Sequence, residues 1–359
     1  NERLTLNLGL RWEYLAPWAE ENGIEAAFDS TVGKIGYNAL PTSMPAALVP
    51  LVIQQEGYFP DGILKKDLNN FGPRIGLAYS PGFSDGALGK LFGGPGKTSI
   101  RASFGIYYTA IEDLNLFYEV GDAPFGRYWT APLPVRFEEP YRTRFDSTSQ
   151  GQRFPFVFPI PGDPANATLD YSGYLPISYS PGYHIHNRQP YAEHYNFTIQ
   201  RELSPSTVLS LAFVGTQGHK LISQYDANPG DPKLCQSLTG AGVMAGTPEC
   251  GPSLSQLDFT RPDGTIVHGT RTQLGPAFGY GNTYTTNRAN SNYNSFQATV
   301  ERRAANFTFL GAYTFSKAID NSSAFGQWVN FTNYRLSRSL SDYDLTHNFV
   351  FSYNYLIPF

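Results

Sequence analysis

The chain is short of charge, thiols and methionine, and it has no long apolar run; each shortage removes a class of protein. Only 16% of its 359 residues are charged, and the formal net charge is -4. No basic stripe is available to neutralise phosphates, which excludes nucleic acid as a partner. The longest apolar candidate, "MPAALVPLVI" at 44–53, is interrupted by Pro50 and falls short of the roughly 18 residues that a spanning helix requires. Helices therefore cannot carry this chain through a membrane. The chain has two cysteines, Cys235 and Cys250, inside one Gly- and Ser-rich loop. Paired, they would close a small ring contributing about 3 kcal/mol through the unfolded state and would imply an oxidising compartment; otherwise they are two loop thiols. The chain starts at Asn1 without Met or signal peptide and passes straight into a strand, so it reads as a fragment or a processed chain.

What is abundant points to sheet. Aromatics make up 15% of the chain, with 24 Tyr and 26 Phe, and hydrophobic residues 41%, which is too apolar for disorder. Thirty-five Gly and 27 Pro are too many for a helical protein. The composition predicts an all-β chain with much loop.

One stretch imitates a nucleotide site. "GGPGKTS" at 93–99 has the Gly-Lys-Thr of a phosphate-cradling loop, but the position that must be glycine is Leu91. The residues after Thr98 alternate with period two, so a strand and not a helix N-terminus follows. The segment reads as turn chemistry leading into a strand.

Alternation recurs along the chain. In "LTLNLGLRWEY" (4–14), Leu4, Leu6, Leu8, Leu10, Trp12 and Tyr14 share one face, while Thr5, Asn7, Gly9, Arg11 and Glu13 share the other. The same reading gives strands at about 71–80, 98–108, 191–202, 206–215, 294–302, 307–316 and 347–357. Most reach the roughly 9 to 11 residues that a tilted strand needs to cross a bilayer, against ~5 to 6 in soluble sheets. The links 81–97, 203–206 and 303–306 are short, whereas 15–70, 109–190, 216–293 and 317–346 are long. Strict alternation of long and short is the mark of an antiparallel up-and-down transmembrane β-barrel with long outer loops and short periplasmic turns. A soluble sandwich accounts for the alternating faces alone, but not for this rhythm.

Position then assigns roles. Trp12, Tyr14, Phe71, Tyr107, Tyr108 and Tyr191 would stand at the outer rim and Tyr79 and Tyr355 at the inner one, as aromatic girdles at the head groups. Arg11, Arg74, Arg101 and Glu301 occur on the polar faces, where facing lipid would cost about 2 to 4 kcal/mol at the midplane, so they should face the lumen. There they either touch a plug or solute, or are wall residues with cross-strand partners. The segment "DAPFGRYWTAPLPVRFEEPYRTRF" (122–145) is rich in stacking residues suited to sugars, peptides or aromatic chelates.

The phrases "TLNLGLRWEY", "FGPRIGLAYSP", "TSIRASFGIYY", "YNFTIQRELSPSTVLSLAFVGTQGHKL", "NSFQATVERRAANFTFLGAYTFSKAID" and "SDYDLTHNFVFSYNYLIPF" resemble the barrel of TonB-dependent outer-membrane receptors, most of all the Oar-like group with its carboxypeptidase-regulatory-like domain. The resemblance covers strands and short turns, not the long loops. It implies an outer-membrane protein of a Gram-negative bacterium, with a barrel of about 22 strands around an N-terminal plug. It also implies lipid, the TonB complex and a scarce small solute, peptide or oligosaccharide as partners. Eight strands without plug or TonB box look like a segment of that barrel. The counter-reading is a complete eight-stranded barrel ending in the assembly residue Phe359, against which Pro358 removes a ladder donor. A structural or adhesive surface barrel without transport is the other functional reading.

Remaining candidates have plainer explanations. His184 and His186 in "YHIHN" lack a nearby third ligand. Asp342 and Asp344 in "SDYDLTHN" lack the Gly and Glu of a calcium loop and suit a turn into the last strand. No Ser, His and Asp set stands beside an elbow motif, so no enzyme, metal site or cofactor is expected.

Overall fold

A computed structural model describes residues 3–21, 23, 25–29, 32–40, 46, 49–60, 62–111, 138, 182–229, 231, 233–234, 236–237, 258–268, 283–324, 327, 329–330 and 333–358. Eight strands form the wall: β1 (Leu4–Glu13), β4 (Asn70–Tyr79), β5 (Thr98–Tyr108), β7 (Tyr191–Ser204), β8 (Thr207–Asp226), β11 (Thr283–Arg303), β12 (Phe307–Asp320) and β14 (His347–Tyr355). They pair antiparallel in that order. Three short strands, β2 (Ala26–Asp29), β3 (Lys34–Tyr37) and β6 (Gly182–Tyr183), attach to β11 through parallel pairing of β6. A separate hairpin joins β9 (Asp258–Thr260) to β10 (Ile266–His268), β13 (Ser339–Leu340) pairs with β12, and the helix α1 spans Gly86–Phe92. Among the described residues, no helix is long and apolar enough to cross a membrane.

The register puts apolar residues side by side. From Leu6 the pairing runs through Leu77, Ala102, Phe197, Phe213, Phe296 and Phe315 to His347, so one face of the wall is continuous across all eight strands. Leu8 and Leu10 on that face keep 68% and 70% of their surface exposed, and Phe349 keeps 69%. Among the described residues, no second sheet covers these side chains, as a soluble sandwich would require. Hydrocarbon is the solvent that such a face accepts.

The belt also slopes. On β1 it spans Leu4 to Trp12 and is centred two residues beyond Leu6; on β14 it spans Phe349 to Ile357 and is centred six residues beyond His347, toward the opposite edge. The drift is eight residues over seven strand steps. At about 3.3 Å per residue and 4.8 Å per step, this is about 26 Å across about 34 Å, a strand tilt of roughly 40°. Transmembrane barrels tilt their strands by about 35–45°.

Two strands outrun the sequence reading. Alternation predicted 206–215 and 294–302, yet β8 and β11 pair from Thr207 to Asp226 and from Thr283 to Arg303. Past Gly215 and Asn294 both faces turn polar, with Gln217, Ser223, Asn292 and Thr286, so pairing continues where periodicity has ended. The register shifts between Thr286, Ala289 and Ser291 mark irregular pairing there. The stretch 15–70, read as loop, contains β2 and β3, and the short link 81–97 contains α1.

The facing assignment has a direct test. Leu8→Arg, on the apolar face, should cost about 2 to 4 kcal/mol of stability in bilayers, whereas Asn7→Arg on the other face should cost little. Reversible unfolding in phospholipid vesicles measures both, and equal losses would contradict the assignment.

Candidate functional site

The second face of the wall carries the chemistry. Arg74 pairs in register with Gly9 and Gly105, and the line continues through His194 and Thr216 to Tyr293. Arg101 lies opposite Ala78 and Thr198, Arg11 opposite Gly72, and Glu301 opposite Val208 and Leu310. Parity places all four on this face, opposite to Leu8 and Phe197.

Their partners are local. Arg11 Nε lies 2.7 Å from Glu13 Oε1, and Arg303 Nη2 lies 2.5 Å from Glu301 Oε1. Arg101 Nε donates to Ser99 Oγ at 3.2 Å. The cross-strand partners expected from the sequence are thus replaced by residues two positions away on the same strand, which an extended chain holds on one face about 6.6 Å apart. Arg74 behaves differently. Its guanidinium carbon sits 4.3 Å from the centre of the Tyr107 ring, and its Nε is buried without a hydrogen-bond partner. Tyr107 in turn meets His194 edge-on at 5.1 Å, and His194 Nδ1 lies 3.0 Å from Thr216 Oγ1. A Cβ on Gly105 would come within 2.9 Å of the Tyr107 ring, so glycine there lets the ring lie across its own strand.

This corrects one girdle assignment. Tyr107 stands on the polar face, packed on Arg74, because consecutive residues of a strand must point to opposite faces and Tyr108 occupies the other. Trp12, Phe71, Tyr79, Tyr108, Tyr191 and Tyr355 lie at apolar-face register positions. Trp12 Nε1 donates to the Leu68 carbonyl at 2.8 Å, satisfying the polar handle of an exposed ring. Tyr14 follows the last residue of β1. Cys235, Cys250 and Phe359 lie outside the described residues, as does nearly all of the aromatic loop 122–145.

Above the wall, buried acids tie the long connections together. Asp67, 3% exposed, accepts from Arg188 Nη1 at 2.8 Å and from the Gln189 backbone N–H at 3.0 Å. Asn70 Nδ2 donates to the Asp67 and Glu13 carbonyls, and Gln189 Nε2 to the Leu15 carbonyl. Two wall connections, β1 to β4 and β5 to β7, are so held at one rim. Glu25, 2% exposed, accepts from the Gly62 N–H at 3.1 Å and is bonded by the Glu20 N–H. Around these acids a small core forms from Ala27, Phe59, Ile63, Leu64, Ile111 and Tyr183. No periodic pattern in the sequence signals this cap, since single acids in loops leave no repeat to read. A cavity lined by Trp18, Asp67, Ile111, Asn187 and Gln189 holds about 30 Å³, room for about one water and none for a solute.

Two candidate groups titrate in this cap. Tyr58 OH donates to Asp29 Oδ2 at 2.6 Å, and that bond, with burial and the carboxylate charge, pushes its phenol up to about 12. Burial, together with His186 and Arg288, lowers His184. Among the described residues, no cluster of three or more His, Cys, Asp or Glu could hold a metal. Lys97, from the nucleotide-like stretch, pairs with Glu202, and Thr98 begins β5, so that stretch is a turn. Asp344 accepts from the Ala318 N–H at 2.6 Å and from Thr346 Oγ1 at 2.9 Å, organising the turn into β14.

A sloping antiparallel wall with one exposed apolar belt and one polar face is the construction of an outer-membrane-type β-barrel, here with an open sheet. The family model described as outer membrane beta barrel domain matches residues 1–359, and the chain belongs to that family. It is therefore a protein of the Gram-negative outer membrane, in contact with its lipid. Two solved structures are similar in part. The outer membrane transporter YddB from Escherichia coli aligns at 9% identity and a TM-score of 0.35, over 72% of this chain and 21% of that one. The ferripyoverdine receptor of the outer membrane of Pseudomonas aeruginosa, bound to ferripyoverdine, aligns at 10% identity and a TM-score of 0.34, over 84% of this chain and 22% of that one. The chain thus spans about a fifth of the length of either. No curated protein matches it.

Two measurements probe the cap. Because folding raises the Tyr58 pKa, the Tyr58–Asp29 contribution is complete below the unfolded value near 10 and is lost as pH rises toward about 12. Tyrosinate absorbance and near-UV dichroism should show a cap transition in that window, which Tyr58→Phe removes. Asp67→Ala leaves the buried Gln189 N–H without its acceptor and should cost about 1 to 3 kcal/mol locally. Hydrogen exchange at 187–189 should accelerate while the wall strands stay protected.

Proposed function

We propose that this chain is part of the wall of a TonB-dependent receptor, which binds a scarce solute at its outer loops and passes it through a plugged lumen. The observation that carries the reading is the sloping belt with unpaired edges. Among the described residues, β1 pairs with β4 alone, and β14 with β12 alone. Each outer edge presents a row of backbone N–H and C=O groups at membrane depth, where hydrocarbon offers them nothing. Further strands would satisfy those groups, and a barrel with more strands than eight has an interior wider than its own side chains fill.

The polar face lines that lumen. Arg11 and Glu301 are neutralised by neighbours on their own strands, which gives a wetted wall of low net charge. Arg74, half-buried and stacked on Tyr107, is the residue on this wall that a plug or a passing solute would engage through the outer nitrogens of its guanidinium. The likeness of the strands and turns to the Oar-like group supports coupling to TonB and an N-terminal plug. Specificity is assigned to the aromatic segment 122–145, whose rings offer stacking surface at low entropic cost.

The intact protein extracted from its native outer membrane should exceed 39.8 kDa, the mass of this chain, and should bind the periplasmic domain of TonB. A mature chain of this same mass that ignores TonB overturns the proposal and selects the structural or adhesive barrel.

A further inference from the structure

The link between β4 and β5 is built to do more than turn the chain. Within it, α1 shows Leu88 at 48% exposure and Leu91 at 60%, three positions apart on one helical face, and Phe83, just before the helix, is 40% exposed. Phe83 and Phe92 stack at 5.8 Å. Exposed apolar side chains concentrated on a single helical turn require an occupant.

The anchoring of α1 says where the helix end lies. Two side chains hold the carbonyls of its last turn: Arg201 Nη2 donates to Lys90 O at 3.1 Å, and Thr98 Oγ1 donates to Phe92 O at 2.6 Å. Thr98 and Arg201 are register partners. Both belong to the apolar face, two residues below Ile100 and Ile199 on the same strands. The helix is thus fastened to the lipid-facing side of the wall, at the lower border of the belt, and not to the lumen side. Arg201 completes the arrangement electrically, because a cation at the C-terminal carbonyls of a helix is favourable.

From this continuity with the belt, we propose that α1 is an interfacial helix that inserts Leu88, Leu91 and Phe83 into the phospholipid leaflet on the short-turn side of the membrane. The helix lies along the wall, with its apolar face at the boundary between head groups and acyl chains. Lys90 and Arg201 meet the phosphates, and the left-handed Gly93 (φ 77°) ends the helix so that the chain can re-enter β5. Gly93 also leaves room for Arg201, whose Nη2 would stand 3.2 Å from a Cβ there. The consequence is a foot that fixes the depth of β4, β5 and β7 in the bilayer, where a bare turn would leave them free to slide. The inference rests on the apolar face being lipid-exposed, and its test separates the two.

The test uses the intact, unsubstituted protein in phospholipid bilayers, with hydroxyl-radical footprinting and a diazirine-bearing phospholipid read by peptide mapping. Tyr343, 75% exposed in the turn before β14, serves as the water reference, and Leu8 as the belt reference. After normalisation for intrinsic reactivity, Leu88 and Leu91 should be several-fold less oxidised than Tyr343, and the peptide covering 83–92 should carry lipid adducts. Oxidation of Leu88 and Leu91 at the level of Tyr343, with Leu8 protected, places the helix in water and overturns the inference alone. Protection without lipid adducts, while the β1 peptide carries them, assigns the helix to a protein partner and also overturns it. Loss of protection at Leu8 itself would overturn the belt beneath both readings.

Discussion

Backbone amides have no partner in hydrocarbon, and the rest of this structure follows from that. A strand in the bilayer must give its N–H and C=O groups to neighbouring strands, so the wall is an antiparallel ladder. Once the ladder is obligatory, alternate residues are committed to opposite faces, and each face must suit its solvent. Leu8 with Ile75 and Phe104, and Phe197 with Phe213 and Phe296, are the result on one side. The other side is left mainly to Gly, Ser, Thr and Asn with a few charges, of which Arg11 and Glu301 are paired. The tilt of about 40° has the same origin, since the belt must stay level in the membrane while the register drifts by about one residue per strand.

Those constraints are also what made the wall readable. A two-residue period over nine or more positions is a strong signal, and it located the membrane-spanning parts of β1, β4, β5, β12 and β14 near their observed positions. The reading ended early at β8 and β11 because their outer halves leave the bilayer and lose the apolar face, while pairing continues. Tyr107 was misplaced for a reason the sequence already contained: beside Tyr108 in an extended strand, only one of the two rings can reach the head groups. The cap was illegible. Asp67, Glu25 and Tyr58 act through a few bonds that reach far along the chain, Asp67 to residues 188 and 189, Glu25 to residue 62 and Tyr58 to residue 29. Bonds of that kind leave no local pattern.

Burial is distributed in the inverse of a soluble protein. The membrane strands carry few fully buried apolar residues, whereas Phe28, Ile35, Tyr37, Phe59 and Ile63 in the connections are at most 2% exposed. Water surrounds the cap, so it must make a core of its own by hydrophobic collapse. Inside the bilayer that driving force is absent between protein and lipid, and the ladder with its cross-strand contacts takes over. The two regions should therefore respond to different stresses, the cap to pH and denaturant and the wall to the bilayer.

The same division explains why charges are handled in different ways along one chain. In the cap, Asp67 is nearly dry and is held by an arginine and a backbone amide, so its removal orphans the buried Gln189 N–H. On the polar face, Arg11 and Glu301 keep contact with solvent and use neighbours two residues away, which costs little order. At the lower border of the belt, Arg201 stands on the lipid side and turns its guanidinium toward the carbonyls of α1. A long cationic side chain can lie along apolar surface and deliver its head to a polar layer. The helix end and the phosphate layer stand at the same height, so one arginine serves both.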